Sequence, residues 1–214
     1  MEFESELIKQ RCQNFFIAGE RESGKTTMTL HIAKQLCNND IVKSIVVITN
    51  KPEEYQNLAN THIYSEYNDT YLDVLLKSQK QKHRELTNQH DAVLFILDYP
   101  IDISELNNNK LFRMLIHNPN GFRISTIVVT TQYYFNFKPN IRSCFDYMLQ
   151  FQNKTLNDNT IAKEFIEHCD YIHGDYDDVY NTVMRLNKYD ALCLIHCKKE
   201  IMPTQIIYKV NLIF

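Results

Sequence analysis

The chain has 214 residues, 23 Lys and Arg against 26 Asp and Glu, and a formal net charge of −3. That length suits one α/β domain, and that charge is not the surface of a protein that coats nucleic acid, so any DNA contact falls to a local patch or to a ring of subunits. No apolar run approaches the ~18 residues of a membrane span, and the acidic start Met1-Glu2-Phe3-Glu4-Ser5-Glu6 is unlike a signal peptide. The expectation is a soluble, intracellular protein with no membrane partner.

In chain order, an apolar strand is expected over 14–18, ending Phe15-Phe16-Ile17-Ala18. Two of the chain's four glycines follow at once, in Gly19-Glu20-Arg21-Glu22-Ser23-Gly24-Lys25-Thr26. This is the G-x-x-x-x-G-K-[ST] phosphate loop. At an average glycine usage of about 7%, such a match arises by chance in about one chain in a hundred of this length. Apolar residues at helical spacing over 27–37 (Met28, Leu30, Ile32, Ala33, Leu36) place the loop between a strand and a helix N-terminus. There the loop's N–H groups and the helix dipole favour phosphate. Residues Gly19 to Thr27 are therefore the expected nucleotide site, with Lys25 on the phosphates and the Thr26 hydroxyl on Mg²⁺.

Further on, 43–49 reads as a buried strand broken by Asn50-Lys51-Pro52, and 62–65 as a short strand. Asn68 or Asp69 caps a helix expected over 70–88. The run Val93-Leu94-Phe95-Ile96-Leu97-Asp98 is a buried strand with a carboxylate at its C-terminal end, where open α/β sheets bind ligands. Asp98 is the expected second Mg²⁺ residue. The next position is Tyr99, not a second acid, and a phenol with a pKa near ~10 is a poor base at neutral pH. Asp102 is the candidate base, with Glu53 and Glu54 as weaker ones.

One helix is expected over 104–117, a turn at Asn118-Pro119-Asn120-Gly121, and a buried strand over 124–131 that leads to Gln132. An amide there is placed to touch γ-phosphate and attacking water. Arg142 follows ten residues later, and spacing alone leaves it open as an arginine finger or an ordinary surface or ion-paired Arg. A strand is expected over 145–151, helices over 159–171 and 177–186, and a closing strand pair over 189–196 and 205–212. Continuous Val/Ile runs separated by helices mean a mostly parallel sheet covered on both faces, in one domain.

The six cysteines are scattered. The groups His168-Cys169 with His173, and Cys193 with His196-Cys197, lack the C-x₂-C spacing of a strong zinc site, and reduced structural cysteines are expected. The densest basic cluster is Lys77, Lys80, Lys82, His83 and Arg84, readable as a DNA contact or as a solvated helix face. Arg123 with Lys138 is an alternative of the same kind.

The order Gly19…Thr26, Asp98, Thr131-Gln132, Arg142 resembles the genome-packaging ATPases of poxviruses, iridoviruses and other giant DNA viruses, in the HerA/FtsK-type branch of P-loop motors. The resemblance is carried most by Phe122-Arg123-Ile124-Ser125-Thr126-Ile127-Val128-Val129-Thr130-Thr131-Gln132-Tyr133-Tyr134 and by Pro139-Asn140-Ile141-Arg142-Ser143-Cys144-Phe145-Asp146-Tyr147. It implies a RecA/ASCE-like P-loop fold and an ATP- and Mg²⁺-dependent motor moving double-stranded DNA into a preformed capsid. It also implies a homo-oligomeric ring (pentamer or hexamer), a capsid or vertex protein as partner, and a location in the viral factory or virion. By the same resemblance Gln132 is the polar sensor and Arg142 the finger acting on a neighbouring subunit, whereas Tyr99 departs from the family's usual acid. Three other readings stay open: an ATP-bound assembly clamp with little hydrolysis, a small-molecule or nucleotide kinase, and a helicase-like or plasmid-transfer motor of the same HerA/FtsK-type branch. A GTPase is excluded, because Asn50-Lys51-Pro52-Glu53 precedes the Asp98 strand and Asp98 opens no D-x-x-G pattern.

Overall fold

In the computed structural model, residues 13–84, 92–98, 103–131, 137–151, 181, 185–187, 189–195 and 206–208 are described. Strands β1 (Gln13–Ala18), β2 (Ser44–Thr49), β3 (Thr61–Tyr64), β4 (Val93–Asp98), β5 (Ile124–Thr131), β6 (Tyr147–Phe151), β7 (Ala191–Ile195) and β8 (Ile206–Tyr208) form one sheet. It has eight strands in the order β3-β2-β4-β5-β1-β6-β7-β8. The first six strands in sequence run parallel, and β7 and β8 close the edge antiparallel. This is a mostly parallel α/β architecture, with the closing antiparallel pair that the alternating tail predicts.

Alternation along the strands feeds two cores. Phe16, Phe95, Ile127 and Val129 point to the face covered by α2 (Asp69–Arg84), α3 (Ile103–Asn108), α4 (Lys110–His117) and α5 (Pro139–Arg142). Phe15, Ile17, Ile96 and Val128 point to the other, packing on Met28, Ile32, Ala33 and Leu36 of α1 (Lys25–Asn38). With both faces buried, no polar alternation survives in β2 and β4, which is why they read as near-continuous apolar runs. Cys193 lies fully buried in the α1-side core, where burial pushes its thiol up; Cys197 lies outside the described residues.

The single helix expected over 104–117 is two helices. Asn109 interrupts it in an extended conformation, and its side-chain oxygen accepts from Phe112 N at 2.8 Å, an N-cap that restarts the chain as α4. Its amide also donates to Asp69 Oδ1 at 2.6 Å, joining α4 to the start of α2. Asn109→Ala is expected to lower unfolding free energy by about 1 kcal/mol in a urea titration. An unchanged midpoint would show that the break is held by packing alone. The helix expected over 159–171 and most of that over 177–186 lie outside the described residues.

Candidate nucleotide site

Parallel strands put their C-terminal ends on one edge of the sheet, and β1, β4 and β5 deliver the motif residues there. Strand β5 lies between β1 and β4, so its tip touches both. Gly19 N donates to Thr131 O at 3.2 Å, while the Thr130 hydroxyl donates to Asp98 Oδ1. The loop then turns through Glu22 at φ 60° and Gly24 at φ 108°, left-handed backbone that favours glycine at the second position. Gly19 is required for a different reason. A Cβ there would stand 2.7 Å from Phe151 Cβ and 2.7 Å from Ser23 Oγ, because the loop is pressed against the tip of β6.

Helix α1 begins at Lys25, with Gly24 as its cap residue, so its first N–H groups face the loop's concavity. Lys25 Nζ donates to Gly19 O at 2.7 Å and Glu20 O at 2.6 Å, which holds the ammonium under the loop. Burial lowers the Lys25 pKa from its ordinary 10.5; Asp98 pulls the other way, Lys51 adds to the lowering and Glu20 opposes it. A bound polyphosphate favours the charged ammonium, so binding is strongest below the free protein's pKa and weakens as pH rises through it. We expect ATP affinity, measured by calorimetry from about pH 7 to about pH 10, to fall before the ordinary lysine value is reached. Lys25→Arg stays charged and should flatten the profile; a profile equally steep in both proteins would place the titrating group elsewhere.

Asp98 is the meeting point of the site. The Thr26 hydroxyl donates to its Oδ2 at 3.1 Å, linking the first turn of α1 to the tip of β4. Both are hard oxygen donors on separate elements, which fits an ion that keeps several waters and binds through one or two protein oxygens and the substrate phosphates. A third hydroxyl was not anticipated from sequence. Tyr55, just past the turn Pro52–Glu54, is completely buried, and its phenol donates to the same Oδ2 at 2.6 Å. Burial and the adjoining carboxylate push the Tyr55 pKa far up, so the phenol stays protonated. The only sequence signal was position: Tyr55 follows β2, and β2 proves to pair with β4 so that Thr49 stands opposite Asp98.

The other expected site residues separate into three groups. Asp102, Gln132 and the Arg84 side chain lie outside the described residues. Glu54 pairs with Lys51 Nζ at 3.1 Å, and Glu53 is exposed. Arg142 does not sit on the nucleotide edge. It closes α5, two residues before Cys144, whose carbonyl accepts from Asn14 Nδ2 near the start of β1, and it is only 8% exposed. An apolar return path explains this: Phe137 packs between Phe16 and Phe112 and draws the segment across the sheet face towards β6.

The basic cluster of α2 is likewise remote from the loop. Lys77, Lys80 and Lys82 are exposed, Lys77 bonds Asp73 Oδ2 at 2.5 Å, and the helix packs on the Pro119–Phe122 turn that precedes β5. That turn lies at the edge opposite Asp98. Lys138 Nζ is on Asn108 Oδ1 at 2.9 Å, and Arg123 opens β5 at the same far edge as the α2 cluster. Among the described residues no group of three or more His, Cys, Asp or Glu is gathered, and His168, Cys169, His173, His196 and Cys197 lie outside them.

No family model and no curated protein sequence matches the chain. Its fold, however, is shared with solved structures. It is similar to the genome packaging NTPase B204 from Sulfolobus turreted icosahedral virus 2 in complex with ATP-gammaS, at TM-score 0.61 and 12% identity over 92% of this chain and 98% of that one. It is also similar to B204, the DNA-packaging ATPase from Sulfolobus Turreted Icosahedral Virus, at TM-score 0.64 and 14% identity, again over 92% and 98%. The pCW3 conjugation coupling protein TcpA matches at TM-score 0.56 and 11% identity, over 95% of this chain and 62% of that one. At these identities the likeness is one of fold.

Proposed function

We propose that the chain is an ATP-hydrolysing motor that moves double-stranded DNA, a genome-packaging ATPase working as a homo-oligomeric ring on a viral capsid or vertex protein. The observation that carries the reading is the contact between the Thr26 hydroxyl and Asp98, made across a sheet in which β5 is inserted between the loop strand and the Asp98 strand. Support for the packaging role comes from the fold likeness to B204, which extends over nearly the full length of both chains.

In this reading residues Gly19 to Thr27 hold the triphosphate, and Lys25 exchanges its loop carbonyls for phosphate oxygens. Thr26 and Asp98 would hold Mg²⁺, which neutralises charge developing on the transferred phosphoryl group. Gln132, one residue past the β5 tip, orients the attacking water, and Asp102 is the candidate to take its proton. Arg142 serves the site of a neighbouring subunit; buried in its own chain, it has to swing outward on assembly. Lys77, Lys80, Lys82 and Arg84, at the edge opposite the nucleotide, are the candidate DNA contacts.

Steady-state ATP hydrolysis over a range of protein concentrations, with and without double-stranded DNA, tests this. Turnover that rises faster than linearly with concentration and increases with DNA is the expected result. Linear turnover indifferent to DNA would overturn the motor and favour a small-molecule kinase. Tyr99, standing where a second acid is usual, favours one alternative in particular: a ring that binds ATP and clamps DNA or a vertex without releasing phosphate.

A further inference from the structure

We infer that Tyr55 is a positioning residue of the nucleotide site, one that fixes the Asp98 carboxylate for the magnesium complex of the nucleotide. The inference rests on the reading of Asp98 given above.

Asp98 Oδ2 accepts from two hydroxyls, Thr26 at 3.1 Å and Tyr55 at 2.6 Å, while Thr130 holds Oδ1. Thr26 lies in the first turn of α1, and in this reading its oxygen is the group that turns to a cation. Tyr55 cannot follow such a turn. Its ring is completely buried in the core that packs on α1, and the chain before it is a turn tied by Lys51 N to Thr49 Oγ1 at 3.1 Å and Tyr55 N to Pro52 O at 3.1 Å. When Thr26 leaves Oδ2, Tyr55 and Thr130 keep one bond on each carboxylate oxygen. Held on both oxygens, the carboxylate would keep one rotamer when it takes up the ion. A phenol on a carboxylate makes a short, charge-assisted bond, stronger than a neutral pair. Removing such an outer partner of a metal-binding carboxylate weakens metal affinity by about 10- to 100-fold.

Tyr55→Phe deletes one oxygen and keeps the ring. In the full chain, binding of a fluorescent ATP analogue is measured with excess Mg²⁺ and with EDTA, beside a thermal melt. The expected result is an affinity about tenfold weaker with Mg²⁺, unchanged in EDTA, and a melting temperature within a few degrees of the parent. Adding Tyr55→Phe to Asp98→Asn should cause no further loss, because the effect passes through the carboxylate. Equal weakening in both buffers, a full further loss in the double variant, or a chain that no longer folds would assign Tyr55 to packing and overturn the inference. A parent protein that binds the analogue in neither buffer would instead overturn the nucleotide reading itself.

Discussion

Asp98→Asn is expected to lower ATP turnover about 10³-fold while ATP is still bound in the absence of Mg²⁺. An ion that polarises the transferred phosphoryl group contributes several kcal/mol of transition-state stabilisation, and about 4 kcal/mol corresponds to roughly 10³ in rate. Asparagine removes the charge that pairs with the ion but leaves the shape. The neighbours tolerate the change, because the hydroxyls of Thr26, Tyr55 and Thr130 that now donate to the carboxylate are each able to rotate and accept from an amide. The stability loss is therefore expected near about 1 kcal/mol, the net worth of a hydrogen bond. Phosphate release assayed beside a melting curve separates the two effects. Turnover within tenfold of the parent would remove Asp98 from the chemistry.

The parts of the molecule that were legible in sequence are those where burial alone decides. Strands β2, β4 and β5 are covered on both faces, so Ser44–Thr49, Val93–Asp98 and Ile124–Thr131 stand out as apolar runs with no competing period. The loop was legible because phosphate binding confines residue type at four fixed positions, Gly19, Gly24, Lys25 and Thr26, at an invariant spacing. Strand order was not, and Tyr55 depended on it. A tyrosine past a strand reads as core until β2 is known to lie beside β4, and only then does its hydroxyl fall on Asp98. The helix break at Asn109 was hidden because α3 and α4 share one apolar face, through Leu106, Phe112, Leu115 and Ile116, so the periodicity carries on across the cap. The position of Arg142 along the sheet was not legible for a related reason. A short segment between two strands does not announce which edge it reaches, and the residues that settle the matter are aromatic: Phe137 edge-on to Phe16 and Phe145 tilted against it.

That placement sharpens what Arg142→Ala should do. If Arg142 serves the neighbouring subunit's nucleotide, turnover is expected to drop about 10³-fold or more, the worth of an arginine finger, with ATP affinity nearly intact. A side chain only 8% exposed also carries packing, so a loss of about 1–3 kcal/mol in stability is expected alongside and turnover alone does not separate the two roles. Mixing subunits does. Lys25→Ala removes a subunit's own phosphate grip yet leaves its Arg142; Arg142→Ala does the reverse. Each is expected to be inactive by itself, since every site in a uniform ring lacks one of its two parts. In a mixed ring, an Arg142→Ala subunit flanked by a Lys25→Ala subunit regains a complete site, intact loop on one side and intact guanidinium from the other. Activity that appears on mixing and vanishes on dilution is thus the expected result. Two inactive proteins that stay inactive when combined, with assembly verified by light scattering, would return Arg142 to the interior of its own subunit and leave the ring without a shared active site.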